Sequence, residues 1–271
     1  MQKSFTIPEY LFNKDLTIDL VGCGGTGSEV ALNLFQMFRT LKALDPHMNI
    51  TLNLWDESIV TKANLVRQPF FETQVGMRKD LALAWTAINL HGLENVYAKG
   101  HYKDSNFLSG NIFITALDRP SIRQALYERH IHHCKNALWL DIGNDDHDGQ
   151  AVLGEFNKKA EWRLPTICDL YDLSGFSDEE ALKKSCSAEE SLNRQDLGVN
   201  AMGARIGTQI LWNLLRHGTI DTHGAFFDVR RLSCSEIEIG GIEWDAFGYD
   251  PINHLPPEPN KEEKEAVEAE S

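Results

Sequence analysis

A glycine run sets the tightest limit on what this chain can fold into. Gly22 to Gly27 reads GCGGTG and matches the pattern G-x-G-x-x-G. An apolar strand pattern, Leu16 to Val21, leads into it. Val30, Leu34, Met37, Phe38 and Leu41 then recur at helical spacing until Asp45-Pro46 breaks the helix. A strand, a glycine turn and a helix in that order let backbone approach a phosphate closely. The helix N-terminus supplies unpaired N–H groups and the positive end of its dipole. Gly22, Gly24, Gly25 and Gly27 are therefore candidate nucleotide-binding positions, and Ser28 is a candidate helix cap.

The rest of the first half repeats the strand–helix alternation. Ile50 to Asp56 reads as a second strand, and Met77, Leu81, Ala84, Trp85 and Ile88 mark a helix ending near Gly92. Ile112 to Leu117 and Ala137 to Ile142 are apolar runs of buried-strand length, separated by a helix over Pro120 to Cys134. This alternation predicts an α/β fold: a doubly wound, mostly parallel, Rossmann-like sheet with helices on both faces. Gln150 to Phe156 and two short strands within Phe226 to Ile239 extend it with antiparallel strands, and Val199 to Leu215 is a strongly amphipathic helix. Residues 157–197 are polar without an apolar period and read as a long crossover loop with a short helix. Residues 1–255 thus read as one domain. Residues 256–271, with six Glu, two Lys and no aromatic residue, read as an acidic disordered tail.

Composition narrows the function classes. A net charge of −14 lacks the basic face that nucleic acid or an anionic membrane surface requires. No run of apolar residues is long enough to span a membrane, and MQKSFTIPEY lacks a signal-peptide pattern. Five widely spaced cysteines argue against a disulfide framework, so the cytoplasm is the expected compartment.

Chemistry-bearing residues cluster after the second strand. Asp56 ends that strand, where a carboxylate commonly takes a ribose hydroxyl. Asn64, Arg67, Gln68 and Lys79 follow. A hydride-transfer site needs no such cluster, which sets aside the nicotinamide-dependent oxidoreductase that the glycine motif alone would allow. A site that stabilises charge on a reacting phosphorus and a leaving pyrophosphate does need it. Asp118 stands at the carboxyl end of an apolar strand, on the edge where doubly wound sheets bind ligands, and could also cap the helix before Pro120.

Taken in order, GCGGTG, Asp56, Ala63 to Gln68 (ANLVRQ), Gly76-x-x-Lys79 and Asp118 in ITALDRPSIR resemble the ThiF/MoeB/HesA family, bacterial relatives of ubiquitin-activating enzymes. The resemblance covers residues 16–155 well and the helix at 199–215 more loosely. Within the family, the segment CSAEESLNRQDLGVN makes the chain most similar to the ThiF-type proteins of PRTRC gene clusters. The resemblance implies an ATP-dependent adenylyltransferase using ATP and Mg²⁺. It implies Asp56 on the ribose, Asn64, Arg67 and Lys79 at the phosphates, and Asp118 at Mg²⁺ and the attacking group. The implied partner is a small ubiquitin-like protein whose C-terminal carboxylate is activated, and the implied assembly is a homodimer. The sequence departs from the family pattern at Ser58, where a second acid is usual, and at Ala63, where Ser is usual. Residues 1–38 contain no arginine, and paired CxxC zinc motifs are absent. These departures keep open an alternative: a nucleotide-binding assembly protein of the same fold that has lost transfer activity.

Two loop cysteines bear on later transfer. Cys186, in KSCSAEESL, resembles the ThiF-type loop Cys and is preferred as a thioester site; Cys168, in LPTICDLYDL, resembles the P-x-C-T segment with Asp169 in place of Thr. Cys23, Cys134 and Cys234 read as packing residues. His130 to Cys134 (HIHHC) reads as a helix C-terminal turn rather than a metal site.

Overall fold

A computed structural model describes residues 3–11, 15–103, 108–133, 136–157, 162–173 and 195–251. Cys186, Cys134 and the acidic tail lie outside the described residues, as does most of the 157–197 crossover.

The chain forms β1 (Phe5–Thr6), β2 (Asp15–Val21), α1 (Gly25–Leu44), β3 (Asn49–Trp55), α2 (Lys79–His91), β4 (Val96–Gly100) and β5 (Ile112–Thr115). It continues with α3 (Pro120–His133), β6 (Ala137–Asn144), β7 (Asp148–Phe156) and α4 (Ile167–Leu170). The last elements are α5 (Val199–His217), β8 (Thr219–Ile220), β9 (Thr222–Asp228), β10 (Ser233–Glu238) and α6 (Ile242–Ala246). Eight strands make one sheet in the order β10-β9-β7-β6-β5-β2-β3-β4, while β1 and β8 pair separately. The β6-β5-β2-β3-β4 portion is parallel, and β7, β9 and β10 add antiparallel strands. The doubly wound parallel sheet running into antiparallel strands is thus the fold the sequence predicts.

Local chemistry explains the boundaries. In β2 and β3 one face is apolar (Ile18, Leu20, Leu52, Leu54) and the other carries the buried polar Asp19 and Asn53, while β5 and β6 bury apolar residues on both faces: Ile112, Phe113, Ile114, Leu138, Trp139 and Leu140. That is the pattern of a sheet covered by helices on both sides. Helix α1 stops at Leu44 because Asp45, before Pro46, turns extended. Helix α2 ends on Gly92, which takes the left-handed conformation at φ +67°. From the adjacent strands β2 and β5, the chain steps outward in opposite directions, to β3 and to β6. Right-handed crossovers then put α1 and α3 on opposite faces of the sheet. Helix α5 packs on α1 and on β6, β7 and β9, and α4 joins α3.

Sequence periodicity alone misses β4, an edge strand with Tyr97 and Lys99 exposed, and the two-residue strands β1 and β8. Ser28 is not the helix cap it reads as. It lies inside the first turn of α1 and donates back to the carbonyls of Gly24 at 2.5 Å and Gly25 at 3.0 Å. Gly24 occupies the cap position.

Candidate active site

The strand order reverses between β2 and β5, and the crevice opens at the carboxyl ends of that pair. The glycine turn lies on one side of it and the segment Ala116 to Asp118 on the other. Each glycine has its own physical reason. Gly22 sits at φ +92°, and a Cβ there would stand 2.5 Å from the Ala116 carbonyl oxygen. A Cβ on Gly27 would come within 1.9 Å of the Gly22 carbonyl oxygen, so this glycine closes the turn against the helix. A Cβ on Gly25 would meet the Asn200 side-chain nitrogen at 2.5 Å. Gly24 differs: no atom lies within 4 Å of a Cβ built there, so protein packing does not account for its missing side chain.

Asp56 follows β3 directly. One carboxylate oxygen accepts the Cys23 N–H of the glycine turn at 2.7 Å, and the other accepts the Ser58 N–H at 2.7 Å. The carboxylate is thereby oriented, half-buried, with lone pairs left for a hydroxyl donor. A short antiparallel bridge of Ile59 with Arg78 then carries Lys79 to the same place. The Lys79 N–H donates to the Ser58 carbonyl at 2.8 Å, and the Val60 N–H to that of Met77 at 2.9 Å. Asp80 supports this turn: it is fully buried, pairs with Arg78 at 3.0 Å and accepts the Gly100 N–H at 2.7 Å.

Lys79 itself is 9% exposed, and its ammonium makes no hydrogen bond or ion pair with any described residue. Its field reaches the glycine turn, where it opposes a rise in the Cys23 thiol pKa. Burial is the main cause of that rise, with Asp56 and Asp80 adding to it. Cys23 is therefore a packed thiol. A cation on a mostly buried residue, without a bonded counter-ion and with its field on the glycine turn, is an arrangement that an anionic ligand completes.

Arg67 is carried by a 3-10 helix over Lys62–Val66. Asn64 builds that turn: its side-chain oxygen accepts the Thr61 N–H at 2.9 Å, and its carbonyl accepts the N–H groups of Arg67 and Gln68. Its amide nitrogen is the group left to reach a ligand. Arg67 donates to the side-chain oxygen of Gln195, whose own amide donates to the Asp145 carbonyl at 3.4 Å. Burial lowers the Arg67 pKa somewhat. Asp118 is exposed, and among the described residues no hydrogen bond ties it to the start of α3, so the capping role finds no support.

A polar cluster that sequence reasoning missed completes the floor. Thr26 Oγ1 donates within 2.6 Å of Asn144 Oδ1 and 3.0 Å of Asn200 Oδ1, and Asn144 Nδ2 lies 3.2 Å from Asn200 Oδ1. The available signal was an asparagine on the apolar face of the amphipathic α5, between the buried Val199 and Gly203.

Cys168 lies on α4, its thiol 3.8 Å from the Arg123 carbonyl. Burial pushes its pKa far up, and Asp141 and Asp169 add to the rise, so the thiolate is disfavoured. Asp169 is held by Arg163 at 2.7 Å, Tyr127 at 2.7 Å and Thr166 at 2.7 Å. His130 is buried between Phe113 and Phe156, its Nδ1 2.9 Å from the Leu126 carbonyl, which makes it a core residue. Among the described residues no group of three or more His, Cys, Asp or Glu is placed to hold a metal ion. Nor is any helix of these residues long and apolar enough to cross a membrane.

Fold and crevice together define a doubly wound α/β protein with a nucleotide-type cradle at its switch point. More particularly, the fold is the one seen in MccB and PaaA. E. coli MccB with AMPCPP and MccA matches with a TM-score of 0.58 at 13% identity, over 83% of this chain and 64% of that one. E. coli MccB with ATP gives 0.56 at 13% identity, over 82% and 63%. PaaA gives 0.57 at 16% identity, over 83% and 64%. The chain thus spans a little under two thirds of the length of these structures. No protein-family model matches the chain, and no curated protein matches it in sequence. At these identities the likeness is one of fold.

Proposed function

We propose that this protein is an ATP-dependent adenylyltransferase of the ThiF type that activates the C-terminal carboxylate of a small ubiquitin-like protein. The observation that carries the reading is Lys79: a residue only 9% exposed, whose ammonium has no bonded partner among the described residues and whose field reaches Cys23 of the glycine turn, the same turn that Asp56 holds. The fold likeness to MccB, which has been seen with ATP and with MccA, supports it. The ordered motif set, which resembles the ThiF/MoeB/HesA family, supports the ThiF-type assignment and a homodimer, and the segment CSAEESLNRQDLGVN supports a member like the ThiF-type proteins of PRTRC clusters.

In this reading Asp56 takes the ribose, and the glycine turn and the α1 N-terminus take the phosphates. The substrate carboxylate attacks the α-phosphorus; a new P–O bond forms as the bond to the bridging oxygen breaks, and pyrophosphate leaves with its electron pair. Lys79 and Arg67 offset the charge on the leaving group and let two anions approach each other. The exposed Asp118 carboxylate suits Mg²⁺, which typically takes one or two carboxylates together with substrate phosphates. Mg²⁺, when bound, would neutralise phosphate charge.

The test is ATP–pyrophosphate exchange in the presence of the carboxylate partner. Lys79→Ala should lower exchange by about 10²–10³ while affecting ATP binding less. Full exchange in Lys79→Ala would overturn the role of the ammonium. ATP binding by the wild type without exchange for any partner would favour the assembly-protein reading, for which Ser58 in place of a second acid already speaks.

A further inference from the structure

We infer that Asn200 is a phosphate-binding residue, its side-chain amide donating to the nucleotide's phosphate chain at the N-terminus of α1. This rests on the nucleotide reading above and adds to it a residue from the far side of the crossover. Asn200 is the second residue of α5 and only 6% exposed. Its Oδ1 stands 3.0 Å from Thr26 Oγ1 and 3.2 Å from Asn144 Nδ2. Asn144 Nδ2 can only donate, so the Asn200 oxygen must face it, and the orientation of the amide is fixed by its neighbours rather than chosen freely. Nδ2 is thereby turned the other way, toward the glycine turn, where it stands 2.5 Å from the place a Gly25 Cβ would occupy.

Among the described residues this nitrogen has no acceptor, and it is not sealed from solvent. A donor on a residue buried this deeply, left without an acceptor beside a helix N-terminus, matches the chemistry of an anionic oxygen. Gly25 is the first residue of α1, so the amide lies against the first helical turn, whose N–H groups have no partner within the helix. Gly25 must be glycine to admit Asn200, which gives the third glycine of the run a reason tied to ligand binding. The cluster also joins three elements, α1 through Thr26, β6 through Asn144 and α5 through Asn200. Phosphate binding would therefore stiffen the start of α5, three residues beyond Asp196.

Two substitutions separate contact with phosphate from mere packing. Asn200→Asp keeps an oxygen for Thr26 and Asn144 but replaces the donor with a negative charge. Asn200→Ala removes both. ATP affinity is read by calorimetry, and the melting temperature without nucleotide is read alongside. A phosphate contact predicts affinity in the order wild type, then Ala about 10-fold weaker, then Asp weaker still, with Asp melting no lower than Ala. A purely structural asparagine predicts the reverse order, with Asp the milder change. ATP binding by Asn200→Asp at wild-type strength, or tighter than by Asn200→Ala, overturns the inference. Asp56→Ala is run beside them: loss of ATP there with no loss in either Asn200 variant overturns this inference alone. A wild type that binds no ATP overturns the nucleotide reading itself.

Discussion

Gly24 and Gly27 lie three residues apart in one turn, and the structure assigns their missing side chains to different causes. A Cβ on Gly27 would be 1.9 Å from the Gly22 carbonyl oxygen, and the obstacle is backbone that is itself fixed by Gly22 at φ +92°. Relief needs the turn to move away from α1, an overpacking whose cost is about 3 kcal/mol or more. In a chain of 271 residues that corresponds to a fall in melting temperature of at least about 6 °C. A Cβ on Gly24 meets nothing within 4 Å, and the residue is at φ −75°, outside the left-handed region. Gly24→Ala should therefore stay within about 1 kcal/mol of wild type, the cost of a poorer helix cap. Its effect should fall on ligand binding. A methyl group where a phosphate must reach backbone N–H groups should weaken ATP by about 10-fold or more, the scale of one lost charge-assisted hydrogen bond. Thermal melts with and without ATP read both quantities from one sample. Gly24→Ala should melt like wild type and show a smaller ATP-induced shift, by about 1.4 kcal/mol of stabilisation or more at saturating ATP; Gly27→Ala should melt early. An unchanged ATP shift in a well-folded Gly24→Ala protein would refute the cradle, and a Gly27→Ala protein as stable as wild type would refute the packing argument.

Two further outcomes follow from titratable groups. His223 is fully buried; Trp244 Nε1 donates to its Nε2 at 2.8 Å, and its Nδ1 lies 2.9 Å from the Leu153 carbonyl, so the neutral ring is the bonded form. Burial lowers its pKa to about 4, against an ordinary 6.5. The unfolded chain therefore binds a proton that the folded chain refuses, and stability is lost as pH falls from 6.5 toward 4, by up to about 3 kcal/mol. Urea midpoints across that range should flatten in His223→Gln; an identical pH slope in the variant would sink the assignment. For transfer chemistry, a partner conjugate released by thiol reductant should survive Cys168→Ala, whose thiol pKa is pushed far up by burial, and vanish in Cys186→Ala. The opposite pattern on a non-reducing gel would move the acyl site to Cys168.

How far the fold was legible depended on which signals were local. The strand–turn–helix at Gly22 and the apolar runs at Ile112 and Ala137 carry their burial in their own composition, and the central sheet follows from them. Strand β4 carries no such mark. It is an edge, held on one side by β3, and its burial does alternate, but an aromatic, Tyr97, stands at an exposed position while Ala98 and Gly100 stand at the alternate ones, so the residue types hide the alternation. Ser28 misled because a serine after a glycine run suits a cap; the helix begins three residues earlier, as glycines without side chains can enter the first turn.

The site divides along the same line. Asp56 and Lys79 are legible because each sits at a fixed distance from an element end. Their union depends on one bridge, Ile59 with Arg78, that folds the intervening loop back on itself. Arg67 is legible as a cation, but its contact with Gln195 spans more than a hundred residues and has no local trace. That contact has a consequence for order of events. Arg67 in this structure is held by Gln195 at the exit of the crossover, while Asn200, five residues further on, faces the glycine turn. A phosphate that takes the Arg67 N–H now given to Gln195, together with the Asn200 amide, loosens one bond to the crossover exit and makes another just beyond it. Nucleotide binding and the position of the crossover are then thermodynamically linked: whatever free energy the crossover exit gains from Arg67, the phosphate must exceed. Gln195→Ala, which leaves Arg67 unclaimed by that side chain, should therefore bind ATP no more weakly than wild type.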